Sequence, residues 1–219
     1  MSEDVFSESL TRPANEPASL SHGKEMAVRA AAGAVIGLGW GAALRGWMVV
    51  LALQFGERPN FTWQGTFGGI LLPSAIMGAI LGVAAVAEGP LAGKRSRWVL
   101  LSPLLLVLGP AIATDNFIPT LVATGMGGGA IGVALIGISG GYALSGTGPQ
   151  WLRRVAGTFA VLLSAGSAVG FGFAGGGSSD TPAKVFGGLL FALLMVLLVV
   201  GIGASTRNRS TRLATSDTP

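Results

Sequence analysis

Gly137-Ile138-Ser139-Gly140-Gly141 has the G-x-S-x-G spacing that presents a nucleophilic serine in many hydrolases. A serine hydroxyl at that position needs a base to take its proton, and the sequence offers none nearby. The single histidine, His22, lies far upstream, and Lys24, Lys94 and Lys184 fall at or outside the edges of apolar stretches. Ser139 is therefore read as a small residue on a packing face, and no enzymatic activity is expected. Metal chemistry fares no better. The chain has no cysteine, no histidine pair and no acidic cluster inside an apolar stretch, so neither metal nor cofactor is expected. Gly125-Met126-Gly127-Gly128-Gly129 lies inside an apolar run without the preceding strand that a phosphate-binding loop requires.

What remains is one charge in an apolar setting. Arg45 interrupts the first long apolar run, and a guanidinium there is costly, by about 2.5–3.5 kcal/mol at the centre of a membrane helix. Such residues face protein or water and take partners. By depth the nearest acidic groups are Asp115 and Glu57, which with Arg45 make up the candidate intramembrane polar site. Backbone carbonyls near Pro110 or Pro119 are the other expected acceptors, and outward snorkelling is the alternative to all of these.

The elements that hold these residues follow from the spacing of charge. The runs 59 to 87, 98 to 114, 116 to 152, 155 to 179 and 185 to 206 carry no Asp, Glu, Lys or Arg. A hydrocarbon core about 30 Å thick needs roughly 20 apolar helical residues to cross it. Half the residues are hydrophobic, only 11% are charged, and the mean hydropathy is +0.65. That composition excludes an ordinary soluble domain. The expected fold is an all-α, polytopic transmembrane helical bundle of about six spans, at 28–52, 66–87, 98–114, 118–142, 154–174 and 185–205. The third is the weakest, being short and carrying Pro103 and Pro110. Residues 1–25 are expected to form a disordered cytoplasmic tail, 26–205 the membrane domain, and 206–219 a basic cytoplasmic tail.

Six spans place both termini on one side. Arg12, Lys24, Arg29, Lys94, Arg95, Arg97, Arg153, Arg154, Arg207, Arg209 and Arg212 then share that side, against Arg58 and Lys184 opposite. This asymmetry predicts an N-in/C-in protein of the plasma membrane. The same reading accounts for the pI of 10.3 without nucleic acid. Trp47, Trp63, Trp98 and Trp151 fall near the predicted interfaces, where an indole N–H stays wet; Trp40 falls near mid-depth and is expected to pack in the core.

Glycine is the second organising feature, with 36 residues. Gly33, Gly37 and Gly41 recur every fourth position, as do Ser74, Gly78 and Gly82, then Gly125 and Gly129, and Gly137 and Gly141. Residues four apart share a helix face, and small ones there let backbones approach. These faces are expected to pack the bundle internally, or to join a homo-oligomer or a membrane-protein partner. The function expected is a non-enzymatic membrane assembly or accessory protein; the alternative is a small-solute or ion transporter or channel with its site around Arg45 and Asp115.

Overall fold

The computed structural model describes residues 18–59, 61–86, 98–113, 126–174 and 181–216. Among the described residues six α-helices follow in chain order: α1 Ala18–Gln54, α2 Leu72–Val86, α3 Leu105–Ala113, α4 Met126–Leu144, α5 Gln150–Ala174 and α6 Thr181–Ser216. No strand occurs among the described residues. Two boundaries differ from the sequence expectation. Helix α1 starts at Ala18, inside the stretch expected to be a disordered tail, and α6 runs to Ser216 through the basic segment expected to be a tail. In both places an established helix runs on into flanking polar residues, because propagation is cheaper than nucleation.

Past its far end at Gln54, α1 is closed by Gly56, whose φ of +73° only glycine adopts without strain. The Gly56 N–H donates to Leu53 O and the Glu57 N–H to Ala52 O, the paired bonds of a Schellman motif. Beyond it Phe61, Trp63 and Phe67 form an exposed aromatic cluster, with Trp63 stacked on Phe67 at a centroid distance of 4.8 Å.

Helix α2 is preceded by eight residues of π-helix, Gln64–Leu71. Pro73 supplies the cause. It has no N–H to give Gly69 O, so the ladder cannot close with the ordinary spacing, and the Leu72 N–H reaches back five residues to Phe67 O. Three glycines within the stretch lower the resistance to this widening. A Cβ on Gly109 would lie only 2.5 Å from Gly69 O, so α3 approaches closely just where that carbonyl is released. In the third apolar run, Pro103 sits in a 3₁₀ turn, Ser102–Leu104, that breaks the helix before α3.

Helix α6 is the hub. Phe191, Leu194, Met195, Leu198 and Ile202 line one face of it and meet Leu44 and Trp47 of α1, Met77 of α2, Leu106 of α3 and Val133 and Ile136 of α4 in one buried cluster. Large apolar side chains elsewhere point outward, among them Ile36 (72% exposed), Val161 (66%) and Leu189 (65%). Four helical stretches are long and apolar enough to cross a membrane: Gly23–Gln54, Gln64–Ala85, Gln150–Phe171 and Thr181–Thr206. Trp98–Gly109 and Gly129–Leu144 are shorter apolar helices.

Candidate functional site

The interior where α1, α2 and α6 meet contains most of the residues singled out by sequence. Helices α1 and α2 cross on their glycine faces. A Cβ added at Gly33 would fall on Gly78 O, one at Gly37 on Ser74 O, one at Gly78 on Gly33 O and one at Gly82 on Arg29 O. The two backbones therefore touch, with Cα–H groups against carbonyl oxygens. At Gly41 the partner is the side chain of Ser74, whose Oγ would lie 2.7 Å from a Cβ there. That hydroxyl is fully buried and has no hydrogen-bond partner among the described residues. Gly137 lies 3.1 Å, by the same measure, from Leu198 and Pro103, and Gly141 abuts Ile202. Gly129 faces open space among the described residues.

Arg45 is half-buried one turn beyond Gly41, about 14 Å along the axis from the end of α1. Its Nε donates to Thr66 Oγ1 at 3.4 Å, a long bond onto a buried hydroxyl in the π-helical stretch. The structure thus brings Arg45 to Thr66, which sequence reasoning did not single out. Glu57 is exposed past the Schellman turn, and Asp115 lies outside the described residues. The signal in the sequence was a polar residue in the first turn of an otherwise apolar helix, but its meeting with Arg45 depends on how α1 and α2 cross. In a double-mutant cycle of Arg45→Met and Thr66→Val, thermal unfolding in detergent is expected to show a coupling of about 0.6–1.7 kcal/mol. A coupling of zero removes this contact from any role.

A second row of polar contacts joins α1 to α6. Trp40 Nε1 donates to Leu194 O at 3.0 Å, Trp47 Nε1 to Gly187 O at 2.9 Å and Gln54 Nε2 to Ala183 O at 2.7 Å. The donors stand seven residues apart on α1, two full turns, so they share one face. Their acceptors descend in number as the donors rise, so the two helices are antiparallel. Trp47 is thereby corrected. Its indole N–H is not wet at an interface but buried, with the ring 5.0 Å from Phe171 and 4.8 Å from Phe191. Trp63, Trp98 and Trp151 are exposed.

The Ser139 hydroxyl is turned back onto its own helix. Its Oγ donates to Leu135 O at 2.6 Å, the back-bond a serine makes to its own helix. Ser205 and Thr206 do the same toward Gly201 and Ile202. Arg153 carries more than a topological charge. Its Nε and Nη2 both donate to Ala143 O, at 3.1 and 3.0 Å, and close the C-terminus of α4, where a cation also meets the negative end of the helix dipole.

A groove of about 530 Å³ opens between α1, α2 and α6. Its floor is the glycine crossing and its walls include Ile36, Leu81 and Leu197. Arg45 does not line it. Among the described residues no group of three or more His, Cys, Asp or Glu side chains could hold a metal ion.

No protein-family profile matches the sequence, and no curated protein or solved structure matches it significantly. The class defined by the fold is an all-helical protein whose apolar helices suit a membrane.

Proposed function

We propose that the chain is a multi-pass integral membrane protein of the plasma membrane, with both termini cytoplasmic. It works without enzymatic chemistry as an assembly or accessory protein, packed through its glycine-rich faces. The observation that carries this reading is how the interior polar groups are used: the two indoles, Gln54 and Arg45 are each tied to a neighbouring helix. They act as fasteners between helices, and the groove beside them is lined by apolar groups and glycine except at one end, where Arg29 and Ser205 stand. A transporter would instead need polar groups lining an aqueous path to Arg45. The antiparallel α1 and α6 support termini on one side, and the charge asymmetry supports the cytoplasm as that side. The proposal extends to a homo-oligomer or a membrane-protein partner, met through small-residue faces as well as the bundle's own helices.

The natural chain has no cysteine, so single introduced cysteines give a clean test. A membrane-impermeant thiol reagent is expected to label positions near 92, 148 and 212 from the cytoplasm and near 60, 116 and 178 from outside. Cysteines at 45, 66, 70 and 77 are expected to stay unlabelled from both sides. A labelled series running through 45, 66 and 70 would replace the accessory reading with the transporter, built around Arg45 and Asp115. Cytoplasmic labelling at 116 would mean that the third apolar run does not span.

A further inference from the structure

The groove between α1, α2 and α6 has a direction. Because α1 and α6 are antiparallel, Arg29 and Ser205 lie at the same end of it, and they bring its charge and its hydroxyl together there. The rest is apolar: Ile36, Met77, Leu81, Leu194 and Leu198 form the walls, and the glycine crossing forms a floor with no side chains to fill it. Trp40 also lines the groove, but its N–H is already spent on Leu194 O. From Arg29 to Ala43, the limits of the groove on α1, is about 21 Å along the axis. One leaflet of hydrocarbon is about 15 Å deep, so the groove spans a leaflet plus its headgroup level. Its volume of about 530 Å³ falls within the range of about 300–1,000 Å³ found for sites that hold a drug-sized ligand, room for an acyl chain rather than a whole lipid.

The charged end selects among lipids. Among the described residues Arg29 is paired only loosely, with Nη2 3.9 Å from Glu25 Oε1 and both side chains more than half exposed, which leaves most of its five N–H donors for a phosphate. Lys24 precedes it on α1, and Arg207, Arg209 and Arg212 follow Ser205 in the sequence of α6. Basic residues gathered at the cytoplasmic end of membrane helices attract anionic headgroups. We infer that this groove is a binding site for one anionic phospholipid, its acyl chain laid along the glycine crossing and its phosphate at Arg29. The site rests on the membrane reading above but not on the choice between accessory protein and transporter.

The test is retention of lipid. The full chain is reconstituted in nanodiscs holding equal phosphatidylglycerol and phosphatidylcholine of identical chains, then released and weighed with its bound lipid by native mass spectrometry. Phosphatidylglycerol is expected to be enriched, and Arg29→Gln to cut that enrichment about fivefold. Gly39 lines the groove and has nothing within 4 Å of where its Cβ would stand, so Gly39→Leu is expected to occlude the chain path and lower retention of both lipids. Ala43→Leu serves as a second filling variant, and thermal melts establish that each is folded. Equal retention of the two lipids by the natural chain would overturn the inference, as would enrichment that survives both Arg29→Gln and the filling variants. A lipid-free dimer that Gly39→Leu dissociates would overturn it too, in favour of a second copy in the groove. Extraction of the chain from vesicles by a high-pH wash would instead overturn the membrane reading.

Discussion

Gly37→Ala lowers the thermal stability of the detergent-solubilised protein, whereas Gly39→Ala, two residues away on the same helix, leaves it unchanged or raises it. A Cβ at Gly37 would land on Ser74 O, a backbone atom that cannot swing aside, so α1 and α2 must separate along their whole crossing. Overpacking of this kind costs about 1–3 kcal/mol, and Gly37→Leu costs more. At Gly39 nothing lies within 4 Å of the added carbon, so the substitution keeps only its helix-propensity gain of up to about 1 kcal/mol. Melting curves compared side by side check this. Indistinguishable curves for the two alanine variants would mean that the glycine face of α1 does not meet α2.

The second large effect is expected at Trp47, which fastens α1 to the hub. Truncating a buried tryptophan costs about 3–5 kcal/mol in soluble cores. In a micelle the separated helices remain in apolar surroundings, so the transfer part of that figure shrinks and lost packing dominates. Trp47→Ala is therefore expected near 3 kcal/mol, with the rings of Phe171 and Phe191 left facing a void. Trp47→Phe keeps a ring and loses only the bond to Gly187 O, for about 0.6–1.7 kcal/mol. Equal losses for the two variants would show that the ring contacts contribute nothing. Unfolding followed by tryptophan-independent scattering or hydrogen exchange makes the comparison fair.

Helical, apolar elements were legible in the sequence because a charge-free run of membrane length leaves the backbone few ways to satisfy its own N–H and C=O groups. The faces were legible too, since positions 33, 37 and 41 share one side of any helix. Which face met which was not, for that depends on crossing angles that no local spacing encodes. Trp47 illustrates the limit. Its place near a predicted helix end suggested a wet indole, yet its acceptor lies 140 residues away in sequence. Arg45 drew attention to carboxylates by charge alone, while Thr66 lay hidden as an ordinary polar residue in a helix start. The π-helical stretch was legible in principle, from Pro73 standing seven residues inside the helix expected at 66–87 and withholding one N–H from its ladder, but a missing bond does not say how the backbone will close around it.

The same 140-residue separation has a consequence in time. The glycine crossing joins consecutive elements, so α1 and α2 can close on each other as soon as both have left the ribosome. The acceptors for Trp40, Trp47 and Gln54 arrive only with α6, and at about 5–20 residues per second the wait between Trp47 and Gly187 is roughly 7–28 s. On the proposed membrane reading, the first hairpin then waits throughout that interval with a Trp-lined flank still unsealed, a surface for any insertion factor that holds new helices. Completion of α6 ends that opportunity, so the bundle is locked by a segment made long after the first hairpin.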